Sequence, residues 1–131
     1  MKQILLIEHE ESYRNALVDL LDANGFETQG VASCQGALKM INQQDFNLII
    51  TSLYMPCING FELVEKINVL KPKIPIVVSS SHIDKNIYDT LLQLGAFECY
   101  SKPIDLDKFS EIVNRGIDEN EQRLPSLRRE G

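Results

Sequence analysis

No apolar run in this sequence approaches the roughly 18 residues that a membrane span requires. The N-terminus, Met-Lys-Gln-Ile-Leu-Leu-Ile-Glu, lacks the long apolar region and small-residue cleavage site of a signal peptide. Basic charge is short as well. Lys and Arg number 13 against 19 Asp and Glu, a formal net charge of −6. A chain of that sign argues against direct binding of nucleic acid, whose phosphates want a basic face. Cysteine is scarce. Cys34, Cys57 and Cys99 are odd in number and widely spaced, which suggests reduced thiols in a cytoplasmic protein rather than a disulfide frame or a zinc site. No segment is low in complexity.

What is present fits one domain with one core, for which 131 residues suffice. Residues 3–7 form a short apolar run that suits a buried strand. Between Glu10 and Asn24, Tyr13, Ala16, Leu17, Leu20 and Leu21 fall at helical spacing, and Gly25 stops the helix. Residues 26–32 read as an edge strand, because Gly30 and three polar residues would weaken a central one. Ser33 caps a second helix carrying Ala37, Leu38 and Ile41. A central strand over 47–52 follows, then a loop marked by Pro56, Asn59 and Gly60. A third helix carries Phe61, Leu63, Val64, Ile67 and Leu70. Pro72 and Pro75 open the strand 76–79. Asp84 caps a fourth helix that Gly95 ends, residues 97–101 form a fifth strand, and Asp105 caps a fifth helix with Phe109, Ile112, Val113 and Ile117. Five repeats of strand then helix imply a doubly wound parallel sheet, a three-layer sandwich in the flavodoxin-like order 2-1-3-4-5. Residues 1–118 make the domain. Residues 119–131 are polar and read as a helix extension, a linker or a tail.

The loops after the strands carry a resemblance. The central strand runs into Ser52-Leu53-Tyr54-Met55-Pro56-Cys57-Ile58-Asn59-Gly60. The first strand ends in Glu8-His9-Glu10, the fourth in Ser80. The fifth is framed by Gly95-Ala96 and Lys102-Pro103. In order and spacing these resemble the receiver domain of two-component response regulators, over about residues 2–117. That family's loop reads Asp-x-x-Met-Pro-x-x-Asp/Asn-Gly, and its aspartate accepts a phosphoryl group with magnesium bound by neighbouring carboxylates. Here the acceptor position is Ser52, and His9 stands where an acidic ligand is usual. Glu8 and Lys102 match the pocket acid and lysine, and Ser80 the hydroxyl that senses the phosphoryl group. Cys99 stands at the switch aromatic, with Tyr100 one residue late. The resemblance also implies a cis peptide between Lys102 and Pro103.

A serine hydroxyl is neutral at pH 7 and a weak nucleophile without a base. A lone carboxylate, Glu8, is a poor site for magnesium, which wants near-octahedral oxygen ligation. The expectation is therefore a degenerate receiver that is not an enzyme, has no cofactor, and binds magnesium weakly or not at all. It acts as a signalling interaction module with a protein partner or a tethered output domain, and pairs as a homodimer through its fourth helix, fifth strand and fifth helix. Lys102 is expected to pair with Glu8, since a lysine aimed into a depleted pocket needs a partner. By strand alternation, one of Cys99 and Tyr100 is expected to face outward and the other inward. Two other readings remain: Ser52 phosphorylated by a separate kinase, and a small enzyme using a Ser52–His9–Glu8 relay. Zinc on His9 and Glu8 is weak, since two ligands fall short of the usual three or four.

Overall fold

The computed structural model describes residues 1–56 and 59–124. Uncharged apolar runs make the inner strands. In β1 (Gln3–Ile7), β3 (Leu48–Ser52) and β4 (Ile76–Ser80), Ile4 to Ile7, Leu48 to Ile50 and Ile76 to Val78 are all buried. That pattern belongs to parallel strands covered on both faces. β2 (Glu27–Val31) and β5 (Glu98–Ser101) flank them in the order β2-β1-β3-β4-β5, every pair parallel. β2 has no fully buried residue, as its polar composition requires of an edge.

Five helices follow the strands: α1 (Glu11–Ala23), α2 (Cys34–Gln43), α3 (Gly60–Leu70), α4 (Lys85–Gln93) and α5 (Leu106–Gln122). One face of the sheet packs Leu5, Ile7, Ile49 and Val78 against Ala37, Ile41, Leu63, Ile67 and Leu91 of α2, α3 and α4. The other packs Ile4, Leu6, Ile50 and Val77 against Leu17 and Leu21 of α1 and Phe109, Val113 and Ile117 of α5. Each fully buried aliphatic side chain contributes about 1.5–3 kcal/mol relative to exposure. Two core layers therefore hold the strand ends, and the site built on them, in place.

Helix starts follow the local chemistry. Ser33, Asn59, Asp84 and Asp105 each accept a backbone N–H in the first turn, from Gly36, Phe61, Ile87 and Lys108 respectively. Gly95 closes α4 at φ 113°, a left-handed conformation that favours glycine. At Gly60 the reason is space: a Cβ there would stand 1.8 Å from the Leu53 carbonyl oxygen. The start of α3 thus lies directly against the backbone that leaves β3.

Two details depart from the sequence reading. Cys99 and Tyr100 are both buried, on opposite faces, because helices cover both sides of β5. Cys34 is disulfide-bonded, against the expectation of reduced thiols. Wide spacing in sequence says nothing of Cα separation in space, which decides whether a bridge can form. Cys57 lies outside the described residues, and Cys99 is a free thiol. As a helix extension, α5 continues past 118 to Gln122, and Asn120 on it is buried. Its Oδ1 accepts from Asn47 Nδ2 at 3.0 Å, and its Nδ2 donates to the Lys73 carbonyl at 3.0 Å. Residues 125–131 lie outside the described residues. The Lys102–Pro103 peptide is cis, as the family pattern implies. No helix among the described residues is long and apolar enough to cross a membrane.

Candidate functional site

Parallel strands joined by crossovers end along one edge of the sheet, and that edge is where such folds place their sites. Register sets which residues meet there. Ile7 pairs with Thr51, so Glu8 and Ser52 come next on adjacent strands. Ser52 pairs with Ser79, and Ser80 with Ser101. The backbone carries the pairing one step further: Lys102 N–H donates to the Ser80 carbonyl at 2.7 Å. Glu8, Ser52 and Lys102 therefore arrive together from three strand ends.

Their side chains interlock. Ser52 Oγ donates to Glu8 Oε1. Lys102 Nζ donates to Glu8 Oε1 at 2.7 Å and to Ser52 Oγ at 2.9 Å. Glu8 Oε2 accepts the Glu10 N–H at 2.9 Å. Both carboxylate oxygens and the serine hydroxyl are thus engaged. Glu8 is only 4 % exposed. Burial pushes its carboxyl up, but the bonds from Lys102, Ser52 and the Glu10 N–H outweigh burial and hold it below the ordinary carboxylate value. The carboxylate is ionised at neutral pH, and the ammonium neutralises it.

The other anticipated residues lie around this corner without joining it. His9 is exposed; its carbonyl accepts a 3.4 Å bond from Arg14 Nη1, and no hydrogen bond among the described residues links its ring to Ser52. The Ser52–His9–Glu8 relay is not assembled. Ser80 is buried, and its Oγ accepts the His82 N–H at 3.3 Å. Cys99 packs toward α4 with its thiol pushed up to about 12 by burial and the neighbouring Glu98 charge, which leaves it an unreactive thiol. Among the described residues no three His, Cys, Asp or Glu gather as a metal cluster.

Sequence reasoning missed Tyr13. It reads as one apolar position of α1, yet its ring lies 4.7 Å from Lys102 Nζ. The available signal was its place five residues after Glu8, in the first turn of the helix beside the pocket. Reasoning also missed Glu98, which joins three elements on the far side of β5. Tyr88 of α4 donates to its Oε1 and Arg115 of α5 to its Oε2, each at 2.9 Å.

The five-stranded parallel sheet with helices on both faces and a site at the carboxyl edge is the flavodoxin-like α/β architecture. Residues 4–114 match the response regulator receiver domain, and the chain belongs to that family. It is 29 % identical over 126 residues to the DNA-binding transcriptional regulator NtrC of Bradyrhizobium sp. (strain RP501 Parasponia), covering 94 % of this chain and 26 % of that protein. The chain spans about a quarter of the length of the first curated relatives that it matches. A CheY-like receiver domain protein from Methanospirillum hungatei JF-1 superposes with a TM-score of 0.88 at 24 % identity, covering 93 % of this chain and 98 % of that one. A beryllofluoride-activated NtrC4 receiver domain dimer superposes at 0.87 with 23 % identity, covering 92 % and 99 %.

Proposed function

We propose that this domain is a degenerate receiver, a signalling interaction module that is not switched by aspartyl phosphorylation. The carrying observation is the acceptor position itself. Ser52 has a neutral hydroxyl, and that hydroxyl is already committed to Glu8 and Lys102. In the family chemistry an ionised carboxylate attacks phosphorus while a divalent cation neutralises developing charge. Here the local positive charge is the lysine.

The donor set does not fit the family's magnesium ion. Magnesium demands near-ideal octahedral oxygen ligation. Among the described residues Glu8 is the single carboxylate hydrogen-bonded into the corner, and each of its oxygens already accepts a protein hydrogen bond. Calorimetric titration with millimolar Mg²⁺ is expected to give no saturable heat. A dissociation constant well below millimolar contradicts this reading.

Regulation then rests on surfaces. The face formed by α4, β5 and α5 mixes Lys85, Asp89, Glu98, Lys108 and Arg115 with few exposed apolar side chains, which suits a modest polar interface. We place self-association there, and a tethered output domain or protein partner as its recipient. That the similarly folded, beryllofluoride-activated NtrC4 receiver domain is a dimer supports self-association. Sedimentation at tens of micromolar protein should show a monomer–dimer equilibrium that Arg115→Glu weakens; a strict monomer removes self-association from the reading.

A further inference from the structure

We infer that Tyr13 is the positioning residue that holds the Lys102 ammonium in the Glu8–Ser52 corner. The inference rests on the degenerate-receiver reading and extends it, naming what keeps the built-in cation in place. A lysine head group is a point charge on a flexible four-carbon stem, and ordering such a side chain costs rotamer freedom. The Lys102 side chain is still 25 % exposed, so water competes for the ammonium. Two of its three N–H donors serve Glu8 and Ser52. The Tyr13 ring lies 4.7 Å from Nζ, within the distance at which an aromatic face attracts a cation.

The ring is placed by the same short segment that fixes the carboxylate. Glu10 N–H donates to Glu8 Oε2 at 2.9 Å, and the Glu10 carboxylate caps α1 by accepting from the Ser12 and Tyr13 N–H groups at 3.2 and 2.7 Å. Carboxylate, cap and ring are thus one chain of bonds over six residues. The Lys102 ammonium closes it from β5, 94 residues away from Glu8 in sequence. The ring acts through its π-face. Its hydroxyl is not required.

The test is the rate at which an N-hydroxysuccinimide ester labels Lys102, resolved by peptide mass spectrometry and normalised to Lys108, an exposed lysine on α5. Wild type and Tyr13→Phe should label Lys102 slowly and alike. Tyr13→Leu should raise the normalised rate roughly two- to fivefold, the range that an exposed cation–π contact supports. Replacing Tyr13 by 3,4,5-trifluorophenylalanine keeps the ring's shape while weakening its negative face. It should give the same rise and decides the matter if the leucine variant does not fold. A trifluorophenylalanine protein that labels at the wild-type rate overturns the inference, as does Tyr13→Phe labelling as fast as Tyr13→Leu. Amine labelling is independent of phosphoryl transfer, so failure here is distinguishable from failure of the degenerate-receiver reading.

Discussion

Wild-type protein incubated with acetyl phosphate and Mg²⁺ is expected to gain no phosphoryl mass, whereas Ser52→Asp/His9→Asp is expected to gain one phosphoryl group. On the degenerate-receiver reading proposed above, the neutral Ser52 hydroxyl is a poor nucleophile and Glu8 alone a poor site for the metal. The surroundings remain as a working site wants them. Glu8, Ser52 and Lys102 meet at the carboxyl edge, and Ser80 sits buried on the neighbouring strand. The defect is local, so two changes should repair it. Ser52→Asp supplies the acceptor and His9→Asp a second metal ligand; Ser52→Asp alone should label more slowly. The double variant should be less stable without metal, because clustered carboxylates repel and raise each other's pKa. Intact-mass spectrometry reads the outcome. Labelling of wild type as fast as the double variant ends the degenerate-receiver reading. A folded double variant that never labels shows that the site lacks more than these two carboxylates.

The second large effect concerns the ion pair. Lys102→Met should cost about 3 kcal/mol at pH 7, because it leaves the Glu8 carboxylate buried without its counter-charge. For a domain of this size that is a fall in Tm of roughly 10 °C. The pH dependence has a definite sign. In the wild type the folded-state carboxyl lies below its ordinary value of 4.5. Its stabilising contribution is therefore complete above that value and is lost as pH falls through the lower folded one. Without Lys102 the strongest of the bonds that oppose burial is gone, and the folded carboxyl moves up. The variant's deficit should be largest near neutrality and shrink as acid protonates Glu8. Thermal melts from pH 7 to pH 3 measure both curves; equal Tm values at pH 7, or a deficit that widens in acid, contradict the geometry.

The layering of the fold was legible because the strands announce themselves. Leu48-Ile49-Ile50 and Ile76-Val77-Val78 carry no charge, and only strands covered on both faces can be so apolar. Gly95 and the capping residues Ser33, Asp84 and Asp105 gave the helix ends to within a residue or two. The pairing of Glu8 with Lys102 was also readable, since their places at strand ends follow from the topology. What was not readable depends on which atoms meet across elements. Strand alternation treats one face as wet, so it left one of Cys99 and Tyr100 outward, whereas both are covered. Tyr13 looks like core because its ring is apolar, and only the position of the lysine gives it another task. Asn120 hides in a polar stretch, although its amide is buried against Asn47 and Lys73. The Cys34 bridge depends on separation in space, which spacing in sequence does not report.

The purely parallel sheet also governs the order in which the molecule can assemble. No two neighbouring strands form a local hairpin, so each pairing must wait for a crossover to close, and such non-local contacts are slow to form. During synthesis the N-terminal part of a chain emerges first. β1 gains β2 early, yet it cannot become an interior strand until β3 is available on its other side. Glu8 finds Ser52 across 44 residues and Lys102 across 94. Until β5 and the lysine that follows it arrive, burying the Glu8 carboxylate would strand a charge without its partner. The corner that defines the domain's chemistry is therefore complete only once the ends of β1, β3 and β5 have all been brought together.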